Sequence, residues 1–344
     1  MRILIVTDAW HPQVNGVVQT LIMLARAVPA LGAEITFMTP EPFRTVALPT
    51  YPDVRIALAT PAALARSIAA ARPDAIHIAT EGPLGLMARR YCRARKIAFT
   101  TSFHTRFPDY VAARAPIPPR WIWSGLRWFH GAARATMAAT PALAAELRGR
   151  GFRNVVLWPL GVDAALFRPR DDADLGLPRP VYLSVGRVAV EKNLEAFLTL
   201  DLPGTKVVVG DGPARVDLER RYPDAVFLGA RHGDALAQIY AAADVFVFPS
   251  RTDTYGLVLL EALASGVPVA AYPVAGPLDV IGAAPVGVLD DDLRMACLAA
   301  LTVPRQAARD FALARGWEAS ARAFLDHAVE AAAAQPPGHA AMSA

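Results

Sequence analysis

Cysteine is scarce: the 344 residues contain two, Cys92 and Cys297, far apart and without a second cysteine or a histidine at metal-ligand spacing. That excludes a disulfide framework and a zinc site of the CxxC kind, and it predicts a reducing, cytosolic compartment. Long apolar runs are missing as well. Each is interrupted by Arg, Pro or Asp well before the roughly 18 residues that a membrane-spanning helix needs. The opening run Ile3-Leu4-Ile5-Val6 stops after four residues and reads as a strand, not as a signal peptide. Charge of either sign is modest, with 19% charged residues and a formal net charge of +4 carried by Arg far more than Lys. A small basic excess suits nucleotide, phosphate or anionic-lipid partners, and no nucleic-acid partner is expected. The GxGxxG fingerprint of dinucleotide-binding dehydrogenases is absent, which counts against hydride transfer.

What is present is a large apolar fraction, 54%, in a chain long enough for two α/β domains. Short apolar runs ending in turns recur at Ile3 to Val6, Ile35 to Met38, Ala75 to Ile78, Ala98 to Ser102, Ala135 to Ala139 and Val155 to Trp158. Alanine-rich helical segments separate them, the pattern of buried parallel strands in a doubly wound sheet. A second set follows at Val181 to Val185, Lys206 to Val209, Ala225 to Leu228, Val245 to Phe248 and Val267 to Ala271. The expected organisation is therefore a Rossmann-like domain over 1–165, a Pro- and charge-rich connection over 166–180 and a second Rossmann-like domain over 181–315. A C-terminal helix over 316–334 and an aperiodic, disordered tail over 335–344 complete it. The functional cleft is expected between the two domains.

Four segments carry chemistry. In Phe248 to Ala262, Asp253 lies in a loop after a strand and Glu261 lies in the helix that follows. The amides of Tyr255, Gly256 and Leu257, with Thr254 beside them, fall at that helix's N-terminus, where unpaired N–H groups and the helix dipole favour a diphosphate. In Ser184 to Asn193, a strand ends at Gly186, and Arg187 and Lys192 follow five residues apart. A planar guanidinium fork and a mobile ammonium suit one diphosphate. In Val209-Gly210-Asp211-Gly212-Pro213, and again at Gly229-Ala230-Arg231, glycines after a strand would bring backbone close to a nucleotide. In the first domain, Asn15-Gly16 opens a helix and could aim amides at phosphate, and His104 ends a strand.

The spacing from Asp253 to Glu261, an acidic residue, seven others and then Glu, resembles the signature of the retaining family 4 glycosyltransferases with the GT-B fold. Asp stands here where Glu is commoner in that family. The resemblance implies that Asp253 contacts donor-sugar hydroxyls and Glu261 the ribose hydroxyls, while Arg187 and Lys192 neutralise the leaving nucleoside diphosphate. It further implies that Gly186, Asp211, Gly212 and Arg231 belong to the nucleotide pocket and that His104 lies near the reacting carbon. Transfer would proceed with retention, through an oxocarbenium-like transition state and without a covalent nucleophile. A nucleotide diphosphate sugar, a UDP-sugar before GDP-mannose, is the expected donor and is a substrate, so no cofactor is expected. No metal is expected either: a metal-dependent GT-A enzyme would want a DxD at a strand end, whereas Asp172-Ala173-Asp174 lies in the Pro-rich connection. A nucleotide-sugar epimerase shares the architecture but not the Arg187/Lys192 and Asp253/Glu261 combination. A catalytically silent nucleotide- or lipid-binding module is the other alternative.

The first-domain motifs resemble the branch that contains sulfoquinovosyl-, glucosyl- and glucuronosyl-diacylglycerol synthases and lipid mannosyltransferases, which implies a lipid acceptor such as diacylglycerol. A soluble saccharide acceptor is the alternative. Consistent with a lipid, Pro118 to Arg134 reads as a helix with Ile122, Leu126, Phe129 and Ala133 on one side and Arg120, Arg127 and Arg134 on the other. Trp121 and Trp128 fall on one shoulder of the basic stripe and Trp123 near the other, which suits a headgroup layer. Arg106 and Tyr110 extend that surface toward His104. The expected location is peripheral, on the cytoplasmic face of a membrane.

Overall fold

The structure, a computed structural model, describes residues 1–12, 15–48, 51–104, 118–253 and 255–334. The chain forms two compact units, Met1–Pro159 with the segment from Trp317 onward, and Leu160–Gly316.

Six parallel strands build the sheet of the first unit: β1 (Arg2–Val6), β2 (Glu34–Met38), β5 (Ala75–Ile78), β6 (Thr100–Ser102), β7 (Ala135–Ala138) and β8 (Val155–Leu157), in the order β2-β1-β5-β6-β7-β8. The inner strands β1, β5 and β7 are almost wholly apolar because helices cover both faces of the sheet. Between β2 and β5 the chain adds an antiparallel hairpin, β3 (Thr45–Leu48) with β4 (Tyr51–Ala57). The polar and Pro-containing sequence there does not announce a strand pair. Of the helices, α1 (Gly16–Ala27), α3 (Pro83–Ala94) and α4 (Pro119–His130) matter below, together with the two numbered between and after them, α2 (Pro61–Ala71) and α5 (Pro141–Gly149).

In the second unit β9 (Val181–Val185), β10 (Thr205–Val209), β11 (Val226–Gly229), β12 (Val245–Phe248), β13 (Val269–Ala271) and β14 (Gly287–Leu289) form a parallel sheet in the order β11-β10-β9-β12-β13-β14. Strand order reverses between β9 and β12, and in the first unit between β1 and β5. Ligands of such sheets sit beyond the carboxyl ends of the strands at these reversals. Helices α6 (Leu194–Leu198), α7 (Arg215–Arg221), α8 (Gly233–Ala242), α9 (Leu257–Ala264), α10 (Ala275–Val280), α11 (Leu293–Ala300) and α12 (Arg305–Leu313) cover it.

Two features differ from the sequence expectation. The division falls after Pro159, and residues 166–180 are not a free connection. Phe167 is buried in the core of the second unit, with Leu166, Leu175 and Leu177 packed against that core, and Arg309 donates to the carbonyls of Ala164 and Phe167. Apolar residues interleaved among the prolines and charges make this segment part of the domain. The C-terminal helix α13 (Trp317–Ala333) belongs to the first unit, where Trp158 Nε1 donates to the backbone and hydroxyl oxygens of Ser320 and Phe324 packs on both Trp158 and His77. The tail over 335–344 lies outside the described residues.

Candidate active site

In the second unit the loop after β9 is strapped to the loop after β12. Asn193 Nδ2 donates to the carbonyl of Pro249 (3.0 Å), and the Ser250 hydroxyl reaches the carbonyl of Glu191. Asn193 itself adopts a left-handed backbone (φ 52°), a conformation that asparagine tolerates better than most residues. The strap brings Lys192 to Asp253, whose Oδ1 accepts from Nζ at 2.5 Å with both side chains largely shielded from water. The other carboxylate oxygen, Oδ2, is buried without a partner, an unmet acceptor that a ligand hydroxyl would satisfy. Lys192 is therefore not the mobile point charge expected from the sequence, since its ammonium is held by Asp253. Arg187, two residues past the end of β9, is half-buried. Gly186, one residue before it, has open space where a side chain would project.

Glu261 lies one turn into α9 and accepts a hydrogen bond from the hydroxyl of fully buried Tyr240 at 2.9 Å. Burial pushes its carboxyl up to about 7, only partly opposed by the tyrosine bond. Such a carboxylate gains from any further donor. At the start of the helix Gly256 is the cap residue, with φ 85° and no side-chain cap bond, so the first-turn amides around Leu257 have no capping side chain. Tyr255 donates from its hydroxyl to the carbonyl of Leu160 and anchors the loop. Gly276, at the start of α10, allows this loop its position, because a Cβ there would lie 2.9 Å from the carbonyl oxygen of Asp253. Thr254 lies outside the described residues.

The glycines after β10 have a packing role of their own. A Cβ on Gly210 would lie 1.8 Å from the carbonyl oxygen of Gly186, and one on Gly212 would lie 2.4 Å from that of Val188. They let the loop after β10 stack backbone-to-backbone on the loop after β9, with Val188 N–H donating to the Asp211 carbonyl at 2.9 Å. The glycines thus support the Arg187 loop from beneath. Gly210→Ala, which combines that clash with a φ of 143°, is expected to cost roughly 2–3 kcal/mol or more, read as a lowered thermal midpoint together with lost nucleotide binding. Asp211 is exposed and paired with Arg215 (3.3 Å), and Arg231 is exposed, donating to its neighbour's carbonyl at Ala230.

In the first unit Asn15 caps α1 with its own side chain, which accepts from the amides of Val17 and Val18, both at 3.0 Å. Those amides are occupied, so the phosphate role expected of Asn15-Gly16 does not extend to them. Gly16 is exposed and has open space around it. His104, two residues past β6, is hydrogen-bonded through Nε2 to the Ser102 hydroxyl (2.7 Å), which meets His77 Nε2 (3.1 Å), whose Nδ1 meets Thr100 (2.9 Å). Burial, and next the charge of His130, push His104 down to about 4, and burial pushes His77 to about 3. Both rings are neutral at physiological pH, so His104 is equipped to make hydrogen bonds and not to carry charge. Arg106 and Tyr110 lie outside the described residues.

Helix α4 divides largely as its pattern predicts, with one correction. Trp121 and Trp128 are exposed, at 67% and 57%, but Trp123 is 6% exposed, stacked flat on Phe103 under the guanidinium of Arg150. Trp123, Leu126 and His130 sit at i, i+3 and i+7, a core stripe, and all three are buried. Trp128 carries Arg89 over its ring, and Arg127 donates to the Arg150 carbonyl and the Ser124 hydroxyl. Arg120, Trp121, Ser124, Arg127 and Arg150 line a shallow basic depression.

Tyr240, Asn193 and Gly276 were not legible as site residues, since each acts through a partner tens of residues away. Two parallel-sheet units, with paired acidic and basic groups and an uncapped helix start at the strand-order reversal of the second, are the architecture of a glycosyltransferase of the GT-B fold class. The comparisons make the assignment specific. Residues 14–166 match the model of Glycosyltransferase Family 4 and residues 179–302 that of Glycosyl transferases group 1. The chain belongs to the family 4 glycosyltransferases and is a hexosyltransferase. It is similar to sulfoquinovosyl transferase SQD2 of Arabidopsis thaliana, 34% identical over 69% of this chain but only 50% of that protein. It is 31% identical to the GDP-mannose-dependent alpha-mannosyltransferase of Mycobacterium tuberculosis, over 95% of this chain and 96% of that one. It is 28% identical to the alpha-monoglucosyldiacylglycerol synthase of Streptococcus pneumoniae, over 79% and 71%. Among solved structures, the sucrose-phosphate synthase of Thermosynechococcus elongatus superimposes with a TM-score of 0.77 over 97% of this chain and 99% of that one, at 22% identity.

Proposed function

We propose that the protein transfers a hexose from a nucleotide diphosphate sugar to a hydroxyl of a membrane lipid such as diacylglycerol, with retention of anomeric configuration. The observation that carries the donor half is the Lys192–Asp253 pair with its unpartnered Oδ2, standing in the same unit as the buried Glu261 carboxyl. In this reading Oδ2 of Asp253 accepts from a sugar hydroxyl and Glu261 accepts from the ribose. Arg187 and the first-turn amides at Leu257 stabilise charge on the departing diphosphate, so no metal enters the scheme. His104, neutral, supplies a hydrogen bond near the anomeric carbon. A UDP-hexose is the first reading of the donor. GDP-mannose is the second, favoured by the match to a GDP-mannose-dependent enzyme over nearly the whole of both chains. Purified protein given UDP- and GDP-hexoses with dioleoylglycerol vesicles, in the presence of EDTA, tests donor, acceptor and metal independence together. Product anomers resolved by NMR test retention.

The lipid half rests on α4, whose exposed Trp121 and Arg120 line the basic depression, and on the glycolipid product named for the alpha-monoglucosyldiacylglycerol synthase. An aromatic ring seated among headgroups beside arginines meeting anionic lipid would hold the enzyme at the cytoplasmic surface. Trp121→Ala combined with Arg120→Glu is expected to lower co-sedimentation with anionic vesicles about tenfold at low salt, since each basic contact is worth about 1 kcal/mol. Equal sedimentation of variant and wild type would remove the membrane reading while leaving the donor assignment intact.

A further inference from the structure

At the carboxyl end of β5, beside the strand-order reversal of the first unit, lies a carboxylate that none of the roles above uses. Glu81 is 12% exposed in its side chain and accepts at Oε1 from the Nε2 of His130, 3.0 Å away. His130 is fully buried, and its Nδ1 meets the Thr101 hydroxyl (2.9 Å), which in turn meets Thr136 (3.2 Å). This file of hydrogen bonds fixes the imidazole and, through it, the carboxylate. His104 lies two residues past the neighbouring strand β6, near enough to His130 to be influenced by it.

A purely structural role does not account for the charge. Helix α3, which begins just after Glu81, is already capped by a different carboxylate: Asp8 accepts from the amides of Leu84 (2.9 Å) and Gly85 (3.2 Å). Fixing His130 needs only an acceptor, and a glutamine carbonyl would serve without a charge to desolvate. A carboxylate with one oxygen committed to a rigid donor and a face still open to water is built to accept a second hydrogen bond.

We infer that Glu81, oriented by His130, binds the acceptor: its carboxylate accepts a hydrogen bond from the acceptor hydroxyl and aligns that oxygen for transfer. The inference rests on the assignment of the chain as a hexosyltransferase, and not on the lipid being the acceptor. Water, the simplest hydroxyl, can take the acceptor's place in slow hydrolysis of the donor. The experiment follows release of nucleoside diphosphate, without any acceptor, from whichever UDP- or GDP-hexose the wild type consumes. In Glu81→Gln, which keeps the shape and the bond to His130, the turnover number for hydrolysis is expected to fall about 10- to 100-fold with the donor KM unchanged. Added formate should recover part of the lost rate in Glu81→Ala. Wild-type hydrolysis by Glu81→Gln would overturn the inference, and so would a raised donor KM at unchanged turnover, which would place Glu81 on the donor. A loss that tracks a lowered melting temperature and ignores formate would make the residue a structural pin. If Glu81→Gln does not fold, Glu81→Asp, which withdraws the charge by one methylene, is measured the same way, and failure of both to fold also assigns the residue to structure. Loss of transfer to dioleoylglycerol in the wild type, with hydrolysis intact, would instead count against the lipid acceptor.

Discussion

Lys192→Ala and Asp253→Ala are each expected to lower turnover at saturating donor by about 100-fold or more, and the double substitution to be hardly worse than the poorer single one. The reason is the 2.5 Å ion pair, which makes the two side chains one unit. Removing Lys192 leaves a shielded carboxylate with neither oxygen paired, and removing Asp253 releases the ammonium from the position that the pair defines. Two independent contacts, one to sugar and one to diphosphate, would give losses that multiply in the double variant. Initial rates for the four proteins, with calorimetric binding of UDP and GDP beside them, decide between a unit and two separate contacts. Arg187→Ala, outside the pair, should add its loss to either.

Nucleoside diphosphate should bind about tenfold more tightly to wild-type protein at pH 8 than at pH 6, and Glu261→Gln should bind it with no such dependence on pH. Burial raises the Glu261 carboxyl to about 7, so at pH 6 it is mostly protonated and at pH 8 mostly ionised. The ionised form is the better acceptor for ribose hydroxyls, and binding therefore favours loss of the proton. The sign for stability is the opposite. The folded protein holds this proton above the ordinary value of 4.5, so the stabilisation is fully present below that pH and is lost as pH rises through about 7. Glu261→Gln should accordingly unfold at a higher temperature than wild type at pH 8 and at a similar one at pH 5. A pH-independent affinity in the wild type would show that the ribose does not meet this carboxylate.

The strands were legible because parallel strands covered on both faces must be continuously apolar, and runs such as Ile3 to Val6 and Val245 to Phe248 are little else. Asp253, Glu261, Arg187 and Lys192 stood out as candidates because loops after strands and the starts of helices are where ligands of such sheets bind, and the structure places all four at the ends of β9 and β12. Trp123 was misread because a helical wheel places a residue by angle alone, whereas Phe103, on a strand-end loop twenty positions earlier, supplies the surface it stacks on. Residues 166–180 were misread because prolines and charges mark a surface path equally well in a linker and in a segment anchored by Phe167.

By itself the sequence determined the two parallel sheets, the helices between them and the charged groups at the ends of β9 and β12, all of which follow from local periodicity and spacing. Tertiary structure alone decided that Lys192 answers Asp253, that Tyr240 lies against Glu261, that Gly210 and Gly212 carry the Arg187 loop, and that α13 returns to the first unit. These depend on which distant segments the packed sheets bring within hydrogen-bond or van der Waals reach, and distance in space is not written in the spacing of residues along one segment.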